Sequence, residues 1–123
     1  NKILLVERKH DPYKGFWALP GGFLDVDNEE VKQTAQRELY EETGLIVKLE
    51  DLELIGETSA PKRDPRGHIV SLIYATKKYS GTPKAGDDAA KAEFFRINHL
   101  PPLAFDHALM IEKYKAWREN YGK

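Results

Sequence analysis

Apolar and polar residues follow one another in a pattern that predicts an α/β domain. Residues 2–8 combine an apolar run with a polar end, which is typical of a buried strand. Residues 68–79 have apolar side chains at both odd and even positions, so both faces of a strand there are predicted to be covered. The other predicted strands are short and cover residues 16–19, 46–47, 52–58 and 92–97.

Two segments have the periodicity of amphipathic helices. The first follows a double glycine and spaces Val31, Ala35 and Leu39 four residues apart, which predicts one buried side. Asp27 and Glu30 have the spacing of a capping box at its start, and Gly44 suits the left-handed cap at its end. The second helix is predicted over residues 106–120, and its core stripe consists of Met110, Tyr114, Trp117 and Tyr121.

The polar side of the first helix is rich in carboxylates. Glu38, Glu41 and Glu42 are three and four residues apart, so they project from one face. Like charges at this spacing repel by roughly a few tenths of a kcal/mol per pair, and a divalent cation with a preference for oxygen ligands would relieve that repulsion. Arg37 can pair with Glu41, which leaves Glu38 and Glu42 with the least obvious protein partner. A solvated acidic surface is the alternative interpretation.

Length and composition exclude several classes of protein. A chain of 123 residues, 41% hydrophobic and 32% charged, is typical of one soluble globular domain. Its net charge of −1 argues against a surface for nucleic acid or for anionic membranes. The absence of cysteine excludes disulfides and thiolate zinc sites and fits a cytoplasmic location. No apolar run approaches the roughly 20 residues of a membrane span.

The first helix and the turn before it resemble the Nudix box. Gly22 is followed, at residues 37–45, by the segment RELYEETGL. The Nudix box pairs a glycine turn with an R-E-aliphatic-x-E-E-x-G-aliphatic helix. The resemblance covers essentially the whole chain, as a single domain over residues 1–123. It implies an α/β/α sandwich, with a mixed β-sheet between the box helix and a C-terminal helix. Nudix folds normally start with a strand upstream of Asn1, so truncation of that strand is expected.

The turn carries one residue more than the family usually places between the box glycine and the arginine. Counting from Gly22 puts Asn28 at the position of the early box glutamate, whereas counting back from Arg37 puts Glu29 there. We favour Glu29, because loops absorb insertions more readily than helices.

The resemblance implies a Mg²⁺ site, with Mn²⁺ as a substitute. Glu38 and Glu42 are expected to be the principal ligands and Glu41 a bridging or additional one. The carbonyl of Gly21 is expected to join the metal shell, and Arg37 to orient the glutamates.

Nudix enzymes commonly place a further carboxylate outside the box, to complete the metal shell or to deprotonate water. Asp88 is the first choice for this role and Asp87 the second, and a box glutamate is a third candidate for the general base. Backbone capping in a turn is the alternative role for the two aspartates.

Other segments are similar to the ADP-ribose pyrophosphatase-like Nudix group, among them Pro61, which lies 16 positions after the last box residue. The implied reaction converts ADP-ribose and water into AMP and ribose 5-phosphate. Arg63 and Arg66 are candidates to hold the phosphates or the terminal ribose, with a solvated turn as the alternative. Gly22 and Trp17 are further candidates for substrate binding, although core packing is the commoner role of such a tryptophan.

Two other functions are compatible with the same sequence. One is hydrolysis of a different nucleotide, such as an oxidised nucleoside triphosphate or a dinucleoside polyphosphate. The other is a non-catalytic Nudix-like sensor that binds ADP-ribose to regulate transcription. Such sensors tend to lose box carboxylates, and here all three are present. The expected partner is a small-molecule nucleotide, with no nucleic acid and no membrane, and a homodimer is left open. His107 is expected to be a helix cap or a surface residue.

Overall fold

The computed structural model describes residues 1–25, 27–86 and 89–120. Within these ranges the chain forms five strands, two α-helices and a short 3₁₀ turn. The strands are β1 (Lys2–Arg8), β2 (Trp17–Ala18), β3 (Glu53–Thr58), β4 (Ser71–Ala75) and β5 (Ala89–Arg96). The helices are α1 (Val31–Thr43) and α2 (His107–Asn120), and the 3₁₀ turn covers Leu49–Asp51.

The strands pair in two antiparallel sheets. One sheet has the order β2-β1-β5 and aligns Val6 with Ala18 and Leu4 with Phe94. The other consists of β3 and β4. A mixed sheet also contains parallel pairing. Among the described residues, that pairing is limited to an isolated bridge between Trp17 and Leu103.

The core joins the three-stranded sheet to α2. Leu5, Trp17, Ile97 and Ile111 form a buried cluster. Helix α2 also packs against β3, and α1 packs against β5 and β4. The predicted α/β architecture, with a box helix and a C-terminal helix packed on the strands, is confirmed. In the described part of the chain, no helix is long and apolar enough to cross a bilayer.

The strand predicted over residues 68–79 is wrong in its length and its environment. β4 covers only Ser71–Ala75, and it pairs with β3 rather than lying in the middle of a larger sheet. Ile73 and Ala75 are buried, but Leu72 is 43% exposed. Apolar residues therefore occupy both faces of this strand, although the face with Leu72 and Tyr74 is only partly covered.

The start of α1 also differs from the prediction. Its capping box is formed by Glu30 and Gln33, whereas the Asp25 carboxylate organises the preceding turn. Asp25 accepts hydrogen bonds from the backbone of Asp27 and from the side-chain amide of Asn28. At the other end, Gly44 has the expected left-handed conformation, with a φ of 75°.

The predicted apolar stripe of α1 is only partly buried. Val31 is exposed, and Ala35 and Leu39 are half-buried. The buried side chains of the helix are Thr34 and Thr43. The Thr43 hydroxyl donates to the Leu39 carbonyl at 2.7 Å, and a satisfied hydroxyl can be buried at little cost.

The core stripe of α2 is confirmed for Met110, which is buried, whereas Tyr114 and Trp117 are half-buried. Tyr121 lies outside the described residues. The side chain that α2 buries most deeply is Ile111, which the predicted stripe did not include.

We expect Ile111→Ala to lower the free energy of unfolding by about 2–5 kcal/mol, because it opens a cavity in the core cluster. Leu109→Ala on the same helix is the control: Leu109 is 52% exposed and Ile111 1% exposed. Its effect should stay within about 0.5 kcal/mol. Urea denaturation measures both, and equal losses would contradict the burial assigned to α2.

Candidate active site

The predicted metal site lies where the glycine turn meets the polar side of α1. This surface opens into a cleft of about 1800 Å³, whose lining includes Gly21, Gly22, Glu38, Glu42 and Arg66. Small-molecule sites usually occupy about 300–1000 Å³, so only the part of the cleft beside the glutamates is the candidate site.

The guanidinium of Arg37 connects three carboxylates. Its Nε and Nη2 donate to Glu29 at 2.5 and 3.0 Å. Its Nη1 donates to Glu38 and to Glu41, each at 2.6 Å. The pairing expected between Arg37 and Glu41 is present. The turn before α1 and the helix itself are thereby joined at one side chain.

These hydrogen bonds shift the pKa values of Glu29 and Arg37. The bonds from Arg37 lower the pKa of Glu29 to about 2, despite an opposing effect of desolvation. Hydrogen bonds to Glu29, Glu41 and Glu38 raise the pKa of Arg37 above its usual value. Three carboxylates contact this one guanidinium, and Glu42 lies further along the same helix. The excess negative charge favours a bound cation.

The glycine turn lies close to α1 at Gly21 and Gly22. A β-carbon at Gly22 would overlap the carboxylate of Glu38, so a larger residue here would displace that side chain from the turn. The backbone N–H of Gly21 donates to Glu42 Oε1 at 2.9 Å. Glu38 and Glu42 therefore have protein partners, contrary to the prediction, because Arg37 reaches its neighbour Glu38 and the turn reaches Glu42.

The inserted residue is accommodated in the turn, where Asn28 donates to Asp25. Glu29 is the residue that reaches Arg37, and its Oε1 also accepts the Thr34 hydroxyl at 3.0 Å. The geometry thus gives Glu29, rather than Asn28, a place beside the box arginine.

The segment before residues 87 and 88 is attached to the C-terminal end of α1. The Lys84 N–H donates to the Thr43 carbonyl at 2.8 Å, and the Gly86 N–H donates to the Glu42 carbonyl at 3.1 Å. A β-carbon at Gly86 would lie 2.6 Å from the Glu41 carbonyl oxygen, so this contact requires glycine. Asp87 and Asp88 themselves lie outside the described residues.

The acidic side chains suit a divalent cation in their chemistry. Over residues 1–25, 27–86 and 89–120, no group of three Asp, Glu, His or Cys side chains has a geometry that could hold a metal ion. Glu38 and Glu41 are instead held by Arg37 Nη1. Carboxylate oxygens are nevertheless the ligands that Mg²⁺ prefers. The lack of a side chain at Gly22 leaves room for the Glu38 carboxylate beside the turn. To bind a metal ion together, the side chains of Glu38 and Glu41 would have to rotate away from Arg37 while staying on the same face of α1.

Arg63 lines the cleft, but its guanidinium is occupied by protein partners, and its contact with substrate stays a prediction. Its Nε and Nη2 donate to the two carboxylate oxygens of Asp106 at 2.7 Å, and its Nη1 donates to the Ile69 carbonyl at 2.9 Å. The side chain is only 4% exposed. The same bonds hold the pKa of Asp106 below its usual range. Arg63 therefore links its loop to the residue that precedes α2 through this ion pair.

Arg66 remains at the cleft. It donates to the Asp64 carboxylate at 2.7 and 3.0 Å, and more than a third of its side chain is exposed. Trp17 is placed in the core, which favours the packing role, and its contact with substrate stays a prediction. Its ring is buried in the core cluster and packs edge-to-face on Phe95, with 4.8 Å between the centroids.

The sequence matches a known family model. The NUDIX domain model matches residues 1–114, which is most of the chain. The chain belongs to the Nudix family. Residues 37–45 and the glycines before them are thus its Nudix box.

Two curated Nudix relatives bear on the function. The chain is 51% identical over 120 residues to an ADP-ribose pyrophosphatase of Methanocaldococcus jannaschii, covering 98% of this chain and 69% of that protein. It is 40% identical over 123 residues to the ADPR responsive transcriptional repressor NtrR of Acinetobacter baylyi, covering 97% of this chain. The chain spans about half of that repressor's length, 48%.

Solved structures share the fold. The NUDIX domain of Shewanella oneidensis NrtR complexed with ADP ribose aligns with a TM-score of 0.85 and 30% identity, covering 94% of this chain and 76% of that one. A bifunctional NMN adenylyltransferase/ADP ribose pyrophosphatase from Francisella tularensis, complexed with AMP and a Mn ion, aligns with a TM-score of 0.78 and 32% identity. That alignment covers 94% of this chain and 37% of the other.

His107 supports the Nudix box from a distance, a role that the predicted helix cap or surface position did not include. Its Nδ1 accepts the Leu19 N–H at 2.9 Å, so it fixes the backbone that leads into Gly21. Burial lowers the pKa of His107 to about 4, which keeps the ring neutral and Nδ1 available as an acceptor. The two residues are 88 positions apart, and no local pattern in the sequence indicates such a contact.

We expect His107→Asn to flatten the pH dependence of stability between about pH 6.5 and 4. In this range the unfolded chain binds a proton that the buried ring of the folded protein does not bind, so wild-type stability falls as the pH falls. The shift corresponds to a loss on the order of 3 kcal/mol, complete near pH 4. Asparagine keeps an acceptor near the position of Nδ1 and does not titrate.

Urea denaturation at a series of pH values provides the measurement. The control is His99→Asn, because His99 is exposed, and this variant should keep the wild-type pH dependence. A constant stability difference between wild type and His107→Asn over this pH range would contradict the buried, neutral state of His107.

Proposed function

We propose that this Nudix protein hydrolyses ADP-ribose to AMP and ribose 5-phosphate in a reaction that depends on Mg²⁺. The observation that carries the proposal is the complete set of box carboxylates gathered at Arg37 and against the glycine turn. The 51% identity to an ADP-ribose pyrophosphatase over nearly the whole chain supports the substrate.

The negative charge of a diphosphate resists attack by water, and the site must lower that barrier. A bound divalent cation polarises the phosphoryl oxygens and lowers the pKa of a bound water. Glu38 and Glu42 are the proposed principal ligands, with Glu41 as an additional one. Arg37 positions these glutamates and offsets part of their repulsion. The carbonyl of Gly21 is a further proposed ligand, since the turn is already attached to Glu42.

The choice of Mg²⁺ follows from the ligands. Three carboxylates and a backbone carbonyl form a hard, all-oxygen donor set, which suits Mg²⁺ and also Mn²⁺. The Mn ion in the Francisella tularensis structure supports a divalent metal in this family. For the general base we propose Asp88 first and Asp87 second, because the preceding Gly86 is bound to the end of the box helix.

Arg66 is the proposed contact for the phosphates or the terminal ribose. It lines the cleft beside the box, and its guanidinium is partly exposed. ADP ribose bound to the NUDIX domain of NrtR supports a ligand of this class on the same fold.

A sensor that binds ADP-ribose without hydrolysis is the second candidate. The 40% identity to an ADPR responsive repressor favours it. The presence of Glu38, Glu41 and Glu42 favours catalysis. Hydrolysis of an oxidised nucleoside triphosphate or a dinucleoside polyphosphate would use the same metal site and different outer contacts.

One experiment separates these functions. The wild-type protein is incubated with Mg²⁺ and each of these nucleotides, and product release is followed by chromatography. We expect the highest kcat/KM for ADP-ribose, with AMP and ribose 5-phosphate released in equal amounts. Tight binding of ADP-ribose without AMP release would establish the sensor, and faster turnover of another nucleotide would replace the proposed substrate.

We expect Glu42→Gln to lower kcat for ADP-ribose by about 10²–10³-fold, because it removes one charged ligand at nearly constant volume. The fold should be unaffected, as judged by circular dichroism and thermal unfolding. Glu53→Gln is the control, since Glu53 is exposed at the start of β3, and it should retain the wild-type rate. Normal turnover by Glu42→Gln would remove Glu42 from the metal site.

A further inference from the structure

Arginine and phenylalanine side chains form an alternating stack beside the glycine turn. The guanidinium carbon of Arg66 lies 5.2 Å from the ring centroid of Phe23 and 4.9 Å from that of Phe105. Arg8 lies 4.9 Å from the same Phe105 ring. These distances are within the range of cation–π attraction, so the stack holds its members together.

Arg66 is held firmly in this stack. The buried Asp64 carboxylate accepts hydrogen bonds from Arg66 Nε, from Nη2 and from the Arg66 backbone N–H. On the far side, Phe105 packs against Tyr13, with 4.7 Å between the ring centroids. The guanidinium that supports Phe23 is thus fixed before any ligand binds.

Phe23 combines a position at the Nudix box with high exposure. It follows Gly22 directly, and its carbonyl accepts a hydrogen bond from Arg37 Nη2 at 3.4 Å. Its side chain is 62% exposed, the largest value among the exposed large hydrophobic residues of the described chain. An apolar ring held in water beside a charged site offers a flat surface to a ligand.

We propose that Phe23 is the platform on which the nucleobase of the substrate stacks, with Arg66 supporting the ring. The proposal rests on the proposed function, because it assigns a place to the adenine of ADP-ribose. A neutral, flat base gains from an aromatic ring and is not repelled by the nearby carboxylates, whereas the diphosphate needs the cation. The stack and the carboxylates therefore hold different parts of one nucleotide.

The two products of the proposed reaction provide the test, because AMP carries a base and ribose 5-phosphate does not. Calorimetric titration of each product, with Mg²⁺ present, is compared between wild type and Phe23→Leu. Leucine remains apolar but has no π surface. We expect AMP binding to weaken roughly tenfold, in line with the cost of losing one stacked base. Binding of ribose 5-phosphate should be unchanged.

Two further variants complete the test. Phe23→Trp keeps an aromatic surface and should bind AMP at least as tightly as wild type. Tyr79→Leu removes a different exposed aromatic ring, which packs on Phe94, and should leave AMP binding unchanged.

Unchanged AMP binding by Phe23→Leu would overturn the proposal. Equal weakening for both products would overturn it too, and would indicate that the stack holds phosphate through Arg66. The proposal would also fail if the wild-type protein bound AMP no more tightly than ribose 5-phosphate. These are equilibrium measurements, so they remain decisive for the stacking site even if ADP-ribose is bound without being hydrolysed.

Discussion

One guanidinium holds together carboxylates that would otherwise repel one another. Arg37 donates to Glu29, Glu38 and Glu41, and so it connects the turn before α1 to two helical positions three residues apart. Without this cation, the acidic face would be held only by the helix backbone, at a cost for each like-charged pair. With it, the carboxylates lie close together, and they outnumber the single cation that connects them. A site for a divalent cation can therefore exist on a stable helix.

The rest of the site depends on close backbone approaches. Gly22 lets the turn lie against Glu38, and Gly86 does the same at the end of α1. His107 lies 88 positions away from Leu19 in the sequence. It accepts a hydrogen bond from the Leu19 N–H and so fixes the chain that leads into the turn. Each contact places an irregular segment against a regular helix, which combines a fixed platform with loops that can reach a ligand. Membership of the Nudix family fits this arrangement of one box helix and several outer segments.

Local features of the fold could be predicted from the sequence, because they follow from spacing alone. The bounds of β1, the glycine cap of α1 and the Arg37–Glu41 pair are of this kind. Contacts across the chain could not be predicted in the same way. Arg63 has the chemistry of a phosphate ligand, but its partner Asp106 lies 43 positions away and takes up the guanidinium. The exposed face of β4 was missed for a related reason, since apolar residues on both faces do not show whether a second layer covers them.

We propose that the acidic face of α1 and the glycine turn together bind a divalent cation. Paramagnetic Mn²⁺, added at substoichiometric amounts to the ¹⁵N-labelled protein, reveals the bound position by nuclear magnetic resonance. We expect the amide signals of residues 21–23 and 38–42 to broaden first, and excess Mg²⁺ to restore them. Broadening centred on another part of the chain, with these signals unaffected, would contradict the proposal.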